Sequence, residues 1–508
     1  MSLHDFSISS LFEANSRLHA RQEAAIDNKQ RLTWSELDKR VERLSSWLVK
    51  RGISSGDRIG LLLTDGNPFL TILLACDRIG AIAVLLNWRL AAPEIAWILD
   101  NAETSMTFAN TRFEILLEAS NPGEVIIVDE KHDPHGAFET IVTSKLKQIA
   151  PMSLEPNRPL YMMYTSGTTG RPKGCLQSSN AVAISALAFA VRSHFSSKER
   201  LLSVNPLFHV VGMQQIAAML ACGGTIVFAQ RDDDPAAILD LLHRENCTTT
   251  SAFPQISFPW LEMNWMRDDK MPLEKYTGGA GAGFPEMYEP FEKLWDCRVI
   301  GGYGQTEICG FATFIDYPDM LNHPDSIGWP IQHLKMSILD PDGNQLPPGV
   351  EGEICFRGPS VMLGYWRNEP ATNAALGHGW LRTGDLGRMD DLGLGYLYGR
   401  SKELIKTGGE NVYPAEIDAV FRSMDEVADA GCCGVPDKRW GEAVKAFVVL
   451  KADAHLTRDQ ITKRFKAQIA SYKRPRYIEF IDQLPRDHLG KLQRLDLSRR
   501  PVTPDQAA

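Results

Sequence analysis

Cysteine is scarce in this chain: nine in 508 residues, with only Cys432 and Cys433 adjacent. No CxxC pair and no disulfide framework can be read from that spacing, which favours a reducing, cytosolic setting. The N-terminus, MSLHDFSISSLFEAN, has Asp5 early and neither a basic n-region nor an apolar h-region, so a secretory signal is not expected. The one stretch to weigh as a membrane span, Leu201 to Gln230, carries no Asp, Glu, Lys or Arg. However, Pro206, His209, Gln214, Gln215 and Gly223-Gly224 interrupt it before about 20 apolar residues accumulate. It reads as buried interior, and integral membrane association is not expected. Positive charge is in the minority, with Lys+Arg 54 against Asp+Glu 63 and a net charge of −9. An acidic balance argues against a nucleic-acid backbone or an anionic membrane as the main partner. Internal repeats and low-complexity segments are also lacking.

What is present is apolar mass: 44% hydrophobic residues over a length sufficient for several packing units. From residue 1 to about 398, strand-length apolar runs (Ile59 to Leu63, Glu124 to Val128, Leu160 to Tyr164, Thr225 to Phe228) alternate with helix-like segments. That alternation predicts an α/β fold. After the strand-like Gly395 to Tyr398 comes GRSKELIKTGGENVYP, a polar stretch ending in proline, where a domain boundary is expected. Beyond it, Ile417, Val420, Phe421 and Met424 follow helical spacing, with Pro414 near the first turn. Thr457 and Gln460 form a capping-box signature for a second helix bearing Ile461, Phe465 and Ile469. Strand-like runs at Ala443 to Leu450 and Arg476 to Ile481 complete a small α/β domain. Residues 451–508 hold 13 Lys+Arg and 7 Asp+Glu, either a solvated face or a cover for a polyphosphate ligand.

The strongest motif is YTSGTTGRPKG, Tyr164 to Gly174, directly after the apolar run Leu160 to Met163. Its glycines allow close backbone approach, and Thr165, Ser166, Thr168, Thr169 and Lys173 offer hydroxyls and a cation to phosphate oxygens. It is not a Walker A loop, because Pro172 stands five residues after Gly167, where that motif needs glycine.

With this string the chain resembles, over nearly its whole length, the adenylate-forming enzymes: acyl-CoA synthetases, luciferase-like enzymes and peptide-synthetase adenylation domains. The resemblance implies a large N-terminal domain of two packed sheets with flanking helices and a small β-barrel subdomain, followed by a small mobile α/β domain. Residues 1–399 would form the large domain, 400–402 the hinge and 403–508 the small domain. It implies ATP, Mg²⁺ and coenzyme A as cofactors and co-substrates, with Ser166, Gly167, Thr168, Thr169 and Gly170 of the loop, flanked by Thr165 and Lys173, holding the β- and γ-phosphates.

Further stations match the family. GGYGQTE, Gly301 to Glu307, resembles its second core motif, which implies Tyr303 against adenine, Gly304 and Gln305 beside the nucleotide, Thr306 at the α-phosphate and Glu307 on Mg²⁺. A flat ring suits a purine, and a carboxylate is a hard ligand for magnesium. TGGAGAG, Thr277 to Gly283, implies Gly279, Ala280 and Gly281 along the adenine and acyl pocket. In WLRTGDLG, Asp385 is implied at both ribose hydroxyls, with Arg400 of GRSKE nearby. Lys402 falls at the family's hinge; Lys406, Gly408 and Gly409 lie in the loop implied to line the CoA tunnel. LPRDHLGKLQR carries Lys491, implied to reach the carboxylate and α-phosphate during adenylation. The family often has Thr where Asp487 stands.

The acid is constrained by a difference. Peptide-synthetase domains place Asp at the position of His209 in Pro206-Leu207-Phe208-His209, where it pairs with an α-ammonium. A neutral imidazole cannot supply that anion, so an α-amino acid is disfavoured. Phe208, Val210, Val211, Met213, Met219 and Phe253 would give an uncharged lining with Gly212 leaving space, and Gly302 is placed with this acyl pocket. A core role for His209 and for these apolar residues is the plain alternative. The expected activity is an AMP-forming acyl-CoA ligase for a neutral acyl, aryl or alicyclic acid. A separate carrier protein is the alternative acceptor, and a binding protein without catalysis is disfavoured by the intact Thr168, Glu307, Asp385, Arg400 and Lys491. Oligomeric state is left open.

Overall fold

The computed structural model describes residues 6–508 except 119, 130–132, 147–153, 156, 166–171, 231–233, 253–256, 258, 262, 264–270, 280–284, 401–402, 408–409, 438–439, 470, 487–491, 504–505 and 507–508. A large N-terminal α/β domain and a small C-terminal one follow each other along the chain.

The expected strands are present, with Arg58–Leu62, Glu124–Val128, Pro159–Thr165 and Thr225–Phe228 all in place. The first three belong to a seven-stranded sheet ordered Gly364–Tyr365, Lys173–Ser178, Pro159–Thr165, Ile82–Leu85, Arg58–Leu62, Met106–Asn110, Glu124–Val128. From Pro159–Thr165 to Glu124–Val128 its pairs are parallel; the two strands at the other end are antiparallel. The central parallel strands Arg58–Leu62, Ile82–Leu85 and Met106–Asn110 are buried along almost their whole length, as expected of a parallel sheet covered on both faces.

A second sheet of thirteen strands has a parallel portion from Glu23–Ile26 through Thr225–Phe228, Arg200–Ser203, Thr249–Ser251 and Lys275–Gly279 to Arg298–Gly302. It then turns antiparallel through Thr313–Asp316, Ser326–Pro330, Gly395–Arg400, Leu381–Met389, Gly352–Arg357 and Lys335–Leu339. No pairing among the described residues closes this end into the small barrel implied by the resemblance. One core joins the sheets: Leu61, Ala83 and Phe108 of the first and Leu201 and Ile226 of the second belong to the same buried cluster, with Val182, Ala186, Met213 and Ile216 from intervening helices.

Residues 201–230 resolve into strand, helix Val210–Cys222 and strand, most of them buried. Gly223 ends the helix at φ 81°, in the left-handed region that only glycine enters without strain. Among the described residues no helix is long and apolar enough to cross a membrane. All nine cysteines are free thiols.

In the small domain, strand Gly441–Leu450 pairs with Val427–Asp437, Tyr477–Phe480 and Ile405–Thr407, the last of which pairs with Glu410–Val412. Helix Pro414–Arg422 buries Ile417, Val420 and Phe421, and helix Arg458–Gln468 starts on the expected Thr457/Gln460 capping box. Ile469 is its extended C-cap rather than a helical residue. Part of the basic tail is used inside the domain, for Arg464, Lys473, Arg486, Arg494 and Arg500 pair with Glu426, Glu416, Asp429, Asp418 and Glu479.

One polar knot was not visible in the sequence. Asp77, 1% exposed, accepts from the Ser9 backbone N–H (2.8 Å), the Ser179 hydroxyl (2.8 Å) and Arg158 Nη2 (3.1 Å). It thereby ties the first helix, helix Asn67–Ile79, helix Ser179–Arg192 and the lead-in to strand Pro159–Thr165. Removing one partner strands a buried arginine. Asp77→Ala is therefore expected to cost about 3 to 5 kcal/mol in urea unfolding, and Asp77→Asn less.

Candidate active site

Strands Pro159–Thr165 and Lys173–Ser178 form a hairpin in which Thr165 stands opposite Lys173. The phosphate-loop residues Ser166, Gly167, Thr168, Thr169 and Gly170 connect them and lie outside the described residues. Gly174 follows Lys173 because any Cβ there would meet the Met162 sulfur at 2.7 Å and the Tyr164 ring at 3.1 Å.

The second sheet brings the other core motif to this hairpin. Strand Arg298–Gly302 leads into Tyr303 and a tight two-stranded turn, Gly304–Gln305 against Gly310–Phe311. Glycine is required here: a Cβ on Gly304 would lie 2.0 Å from the Gly310 carbonyl, and one on Gly302 would lie 2.5 Å from the Thr313 carbonyl. Gly302 thus serves the packing of this turn against its neighbouring strand. The Tyr303 ring lies on Phe356 (centroids 6.0 Å, 16°), and its hydroxyl donates to Asp385. Gln305 Nε2 donates to Asp385 Oδ2 (2.9 Å) and to the Tyr303 oxygen (2.8 Å). Asp385, 3% exposed on strand Leu381–Met389, is directly opposite Arg400 in the sheet register. An aromatic ring, an amide and a buried carboxylate are therefore joined in one hydrogen-bonded network.

Thr306 and Glu307 begin a short 3₁₀ turn, Thr306–Ile308. The buried Gln177 side chain donates to the Thr306 carbonyl (2.6 Å), and Met362 N–H donates to the Glu307 carbonyl (2.9 Å). The Glu307 carboxylate accepts from the Tyr365 hydroxyl at Oε1 (2.8 Å), and Lys173 Nζ stands 5.0 Å from the centroid of that same Tyr365 ring. Lys173, Thr306, Glu307, Tyr303, Gln305 and Asp385 are thus brought together. Tyr365 and Gln177 were missed by the sequence reading: each sits in a strand with no motif of its own, and only the pairing of distant segments gives it a role.

The acyl-side residues follow. His209 is the N-cap residue of helix Val210–Cys222 and is partly exposed, with its ring 4.7 Å from that of Phe208. Phe208 meets Trp88 edge-on at 6.1 Å, and Trp88 stacks on Phe113 at 5.3 Å. Phe208, Val210, Met213 and Met219 belong to the large-domain core, Met213 and Met219 almost fully enclosed, while Val211 is partly exposed. Gly212 leaves no space, contrary to expectation: a Cβ there would lie 2.6 Å from the Pro206 carbonyl and 2.7 Å from that of Asn205, so the glycine packs the helix against its own lead-in. Gly279 ends strand Lys275–Gly279 opposite Gly302. Phe253, Ala280, Gly281, Lys402, Gly408, Gly409 and Lys491 lie outside the described residues, and Lys406 lies in strand Ile405–Thr407 opposite Asn411.

The donor set fits magnesium in one way. Among the described residues no cluster of three His, Cys, Asp or Glu could cage a metal. Mg²⁺ ordinarily takes one or two carboxylates and completes its octahedron with phosphates and water, and the partly exposed Glu307 beside the phosphate-loop hairpin meets that need.

Known proteins resemble this chain over nearly its whole length. A model of AMP-binding enzymes matches residues 12–366, and one of the AMP-binding enzyme C-terminal domain matches residues 416–491. The chain is similar to the indoleacetate–CoA ligase of Aromatoleum aromaticum, 34% identical over 473 residues and 92% of each chain. It is 30% identical to a fatty acid–acyl-carrier-protein ligase of Streptomyces coeruleorubidus over 98% of each. In structure it is similar to the o-succinylbenzoate CoA synthetase of Bacillus subtilis solved with its acyl-adenylate OSB-AMP, with TM-score 0.85, 29% identity, and coverage of 97% of this chain and 98% of that one. With both family models matched in order and likeness running the length of these relatives, the chain belongs to the AMP-binding enzyme family.

Proposed function

We propose that this protein is an ATP-dependent, AMP-forming acyl-CoA ligase acting on a neutral, preferentially aryl-bearing carboxylic acid. The observation that carries the reading is the junction at which Lys173, Glu307 and the Tyr303–Gln305–Asp385 network meet. The indoleacetate and o-succinylbenzoate ligases among its relatives support an aryl acid, as does the aromatic run Phe113, Trp88, Phe208 leading to His209.

In the first half-reaction a carboxylate oxygen of the acid bonds to the α-phosphorus of ATP, and the bond from that phosphorus to the pyrophosphate oxygen breaks. A carboxylate alone is a poor acyl donor, because its leaving group would be oxide; the mixed anhydride has AMP as leaving group instead. Tyr303 holds the adenine face, Asp385 and Arg400 the ribose, and Thr306 the α-phosphate. Lys173, with the loop Thr165, Ser166, Gly167, Thr168, Thr169 and Gly170, holds the departing phosphates. Glu307 holds Mg²⁺, which supplies charge neutralisation at the phosphates when bound. Lys491 brings a cation to the α-phosphate and carboxylate. In the second half-reaction the CoA sulfur bonds to the acyl carbon and AMP leaves. For this we place a hinge at Lys402, between residues 1–399 and 403–508, so that rotation exchanges Lys491 for Lys406, Gly408 and Gly409 along the thiol path. His209 is assigned to the acyl side, next to Phe208.

A second reading keeps the first half-reaction and gives the acyl group to a carrier-protein phosphopantetheine. It is favoured by the likeness to a fatty acid–acyl-carrier-protein ligase over almost the whole chain.

A pyrophosphate-release screen with ATP, Mg²⁺ and CoA over aliphatic, aryl and alicyclic acids, with mass detection of product, is expected to yield an aryl acyl-CoA. Adenylate without thioester in that screen, followed by transfer to a holo carrier, would select the second reading. Lys491→Ala is expected to slow adenylation about 10²- to 10³-fold while sparing thioester formation from supplied acyl-adenylate. Equal loss in both half-reactions would overturn that assignment. Lys402→Pro should slow thioester formation more than adenylation in stopped-flow comparison of the two, since proline fixes φ at the hinge.

A further inference from the structure

We propose that Tyr365 is a positioning residue that holds the carboxylate of Glu307 and the ammonium of Lys173 apart, so that each is kept for its own ligand. The inference deepens the ligase reading and rests on it. Three segments converge on this tyrosine. Its strand, Gly364–Tyr365, pairs antiparallel with Lys173–Ser178, placing Tyr365 opposite Cys175. Its backbone N–H donates to Thr372 Oγ1 (2.9 Å), and the flanking Leu363 and Trp366 N–H groups donate to the carbonyls of Leu176 (2.9 Å) and Gly174 (2.7 Å). The residue is therefore held by the same strand that carries Lys173. Its hydroxyl donates to Glu307 Oε1 at 2.8 Å, and its ring lies under Lys173 Nζ at 5.0 Å.

The electrostatic consequence follows from what the ring replaces. A lysine and a glutamate at the edge of one phosphate site would ordinarily pair directly. No Lys173–Glu307 ion pair is formed among the described residues, because Tyr365 gives each a separate contact. Direct pairing would neutralise both groups, whereas a ring face attracts the ammonium without cancelling its charge. The hydroxyl fixes one carboxylate oxygen and leaves Oε2 for a hard cation. An ammonium over the ring also draws electron density from the phenol, which strengthens the hydrogen bond it donates. Hydrogen-bond partners that orient a metal-binding carboxylate typically govern about 10- to 100-fold in metal affinity or activity.

The test is equilibrium ATP binding, without acid or CoA, measured by calorimetry in Mg²⁺ and in EDTA for wild type, Tyr365→Phe, Tyr365→Leu and Glu307→Gln. Wild type is expected to bind ATP more tightly with Mg²⁺ than in EDTA. Tyr365→Phe should lose about tenfold of that magnesium-dependent gain while its affinity in EDTA is unchanged, because ring and lysine contact persist. Tyr365→Leu should additionally weaken binding in EDTA. If Tyr365→Phe keeps the full gain while Glu307→Gln loses it, the role of Tyr365 is overturned and the ligase reading stands. If Tyr365→Phe weakens both conditions equally, the tyrosine is merely structural and the proposal falls. A wild-type protein that binds ATP in neither condition overturns the ligase reading itself.

Discussion

The site depends on a seam. The two sheets of the large domain each carry part of the set proposed to bind the nucleotide, and Gln177 links them by donating to the Thr306 carbonyl at 2.6 Å. That side chain is 0% exposed. A buried amide left without its partner costs about 1 to 3 kcal/mol, so the hydrogen bond fixes where the 3₁₀ turn sits relative to the phosphate-loop hairpin. Thr306 and Glu307 inherit their positions from it.

The same turn is held from the acyl side. Gln214, buried in helix Val210–Cys222, accepts from Phe311 N–H at 2.9 Å and donates to Ser185 at 2.8 Å. Gly310, at φ 110°, passes so close that a Cβ there would lie 2.5 Å from this amide. The helix that begins at His209 and the turn that carries Tyr303 are thus one packed unit. A change of side chain in this helix therefore reaches the Tyr303 turn through packing, since dense interiors transmit small displacements.

What could be read from the sequence divides along a physical line. The strands Glu124–Val128 and Thr225–Phe228, the Thr457 capping box and the phosphate-loop string are local, carried by neighbouring residues whose spacing alone encodes them. Asp77, Gln177 and Tyr365 act through partners far along the chain, such as Ser179 for Asp77 and Glu307 for Tyr365, and no local period marks them. Gly212 shows the opposite error. Its freedom from a side chain was read as room for substrate, when the room is already filled by the carbonyls of Asn205 and Pro206. An absent Cβ signals close approach, and the sequence does not say of what. The barrel implied by family resemblance is not confirmed by the pairings among the described residues, in which the antiparallel strands extend the larger sheet at its end.

Charge connects the site to the division of the chain. Around this junction stand two carboxylates, Glu307 and Asp385, and the cation Lys173, with Arg400 opposite Asp385 in the sheet register. These cations are offset by the two carboxylates, and under the ligase reading like charge at close range from a triphosphate is costly in a partly desolvated site. Under the ligase reading, the deficit must be met by ions and side chains that arrive separately: a metal at Glu307 and a cation from the small domain. The basic excess of residues 451–508 lies in that domain, yet much of it is spent on internal pairs such as Arg494 with Asp418 and Arg500 with Glu479. Under the ligase reading, that leaves the small domain to supply one directed cation, the role proposed for Lys491, rather than a general positive surface. This suits a reaction whose two steps need opposite electrostatics, since a site permanently rich in cations would hold the pyrophosphate it must release before the thiol can enter.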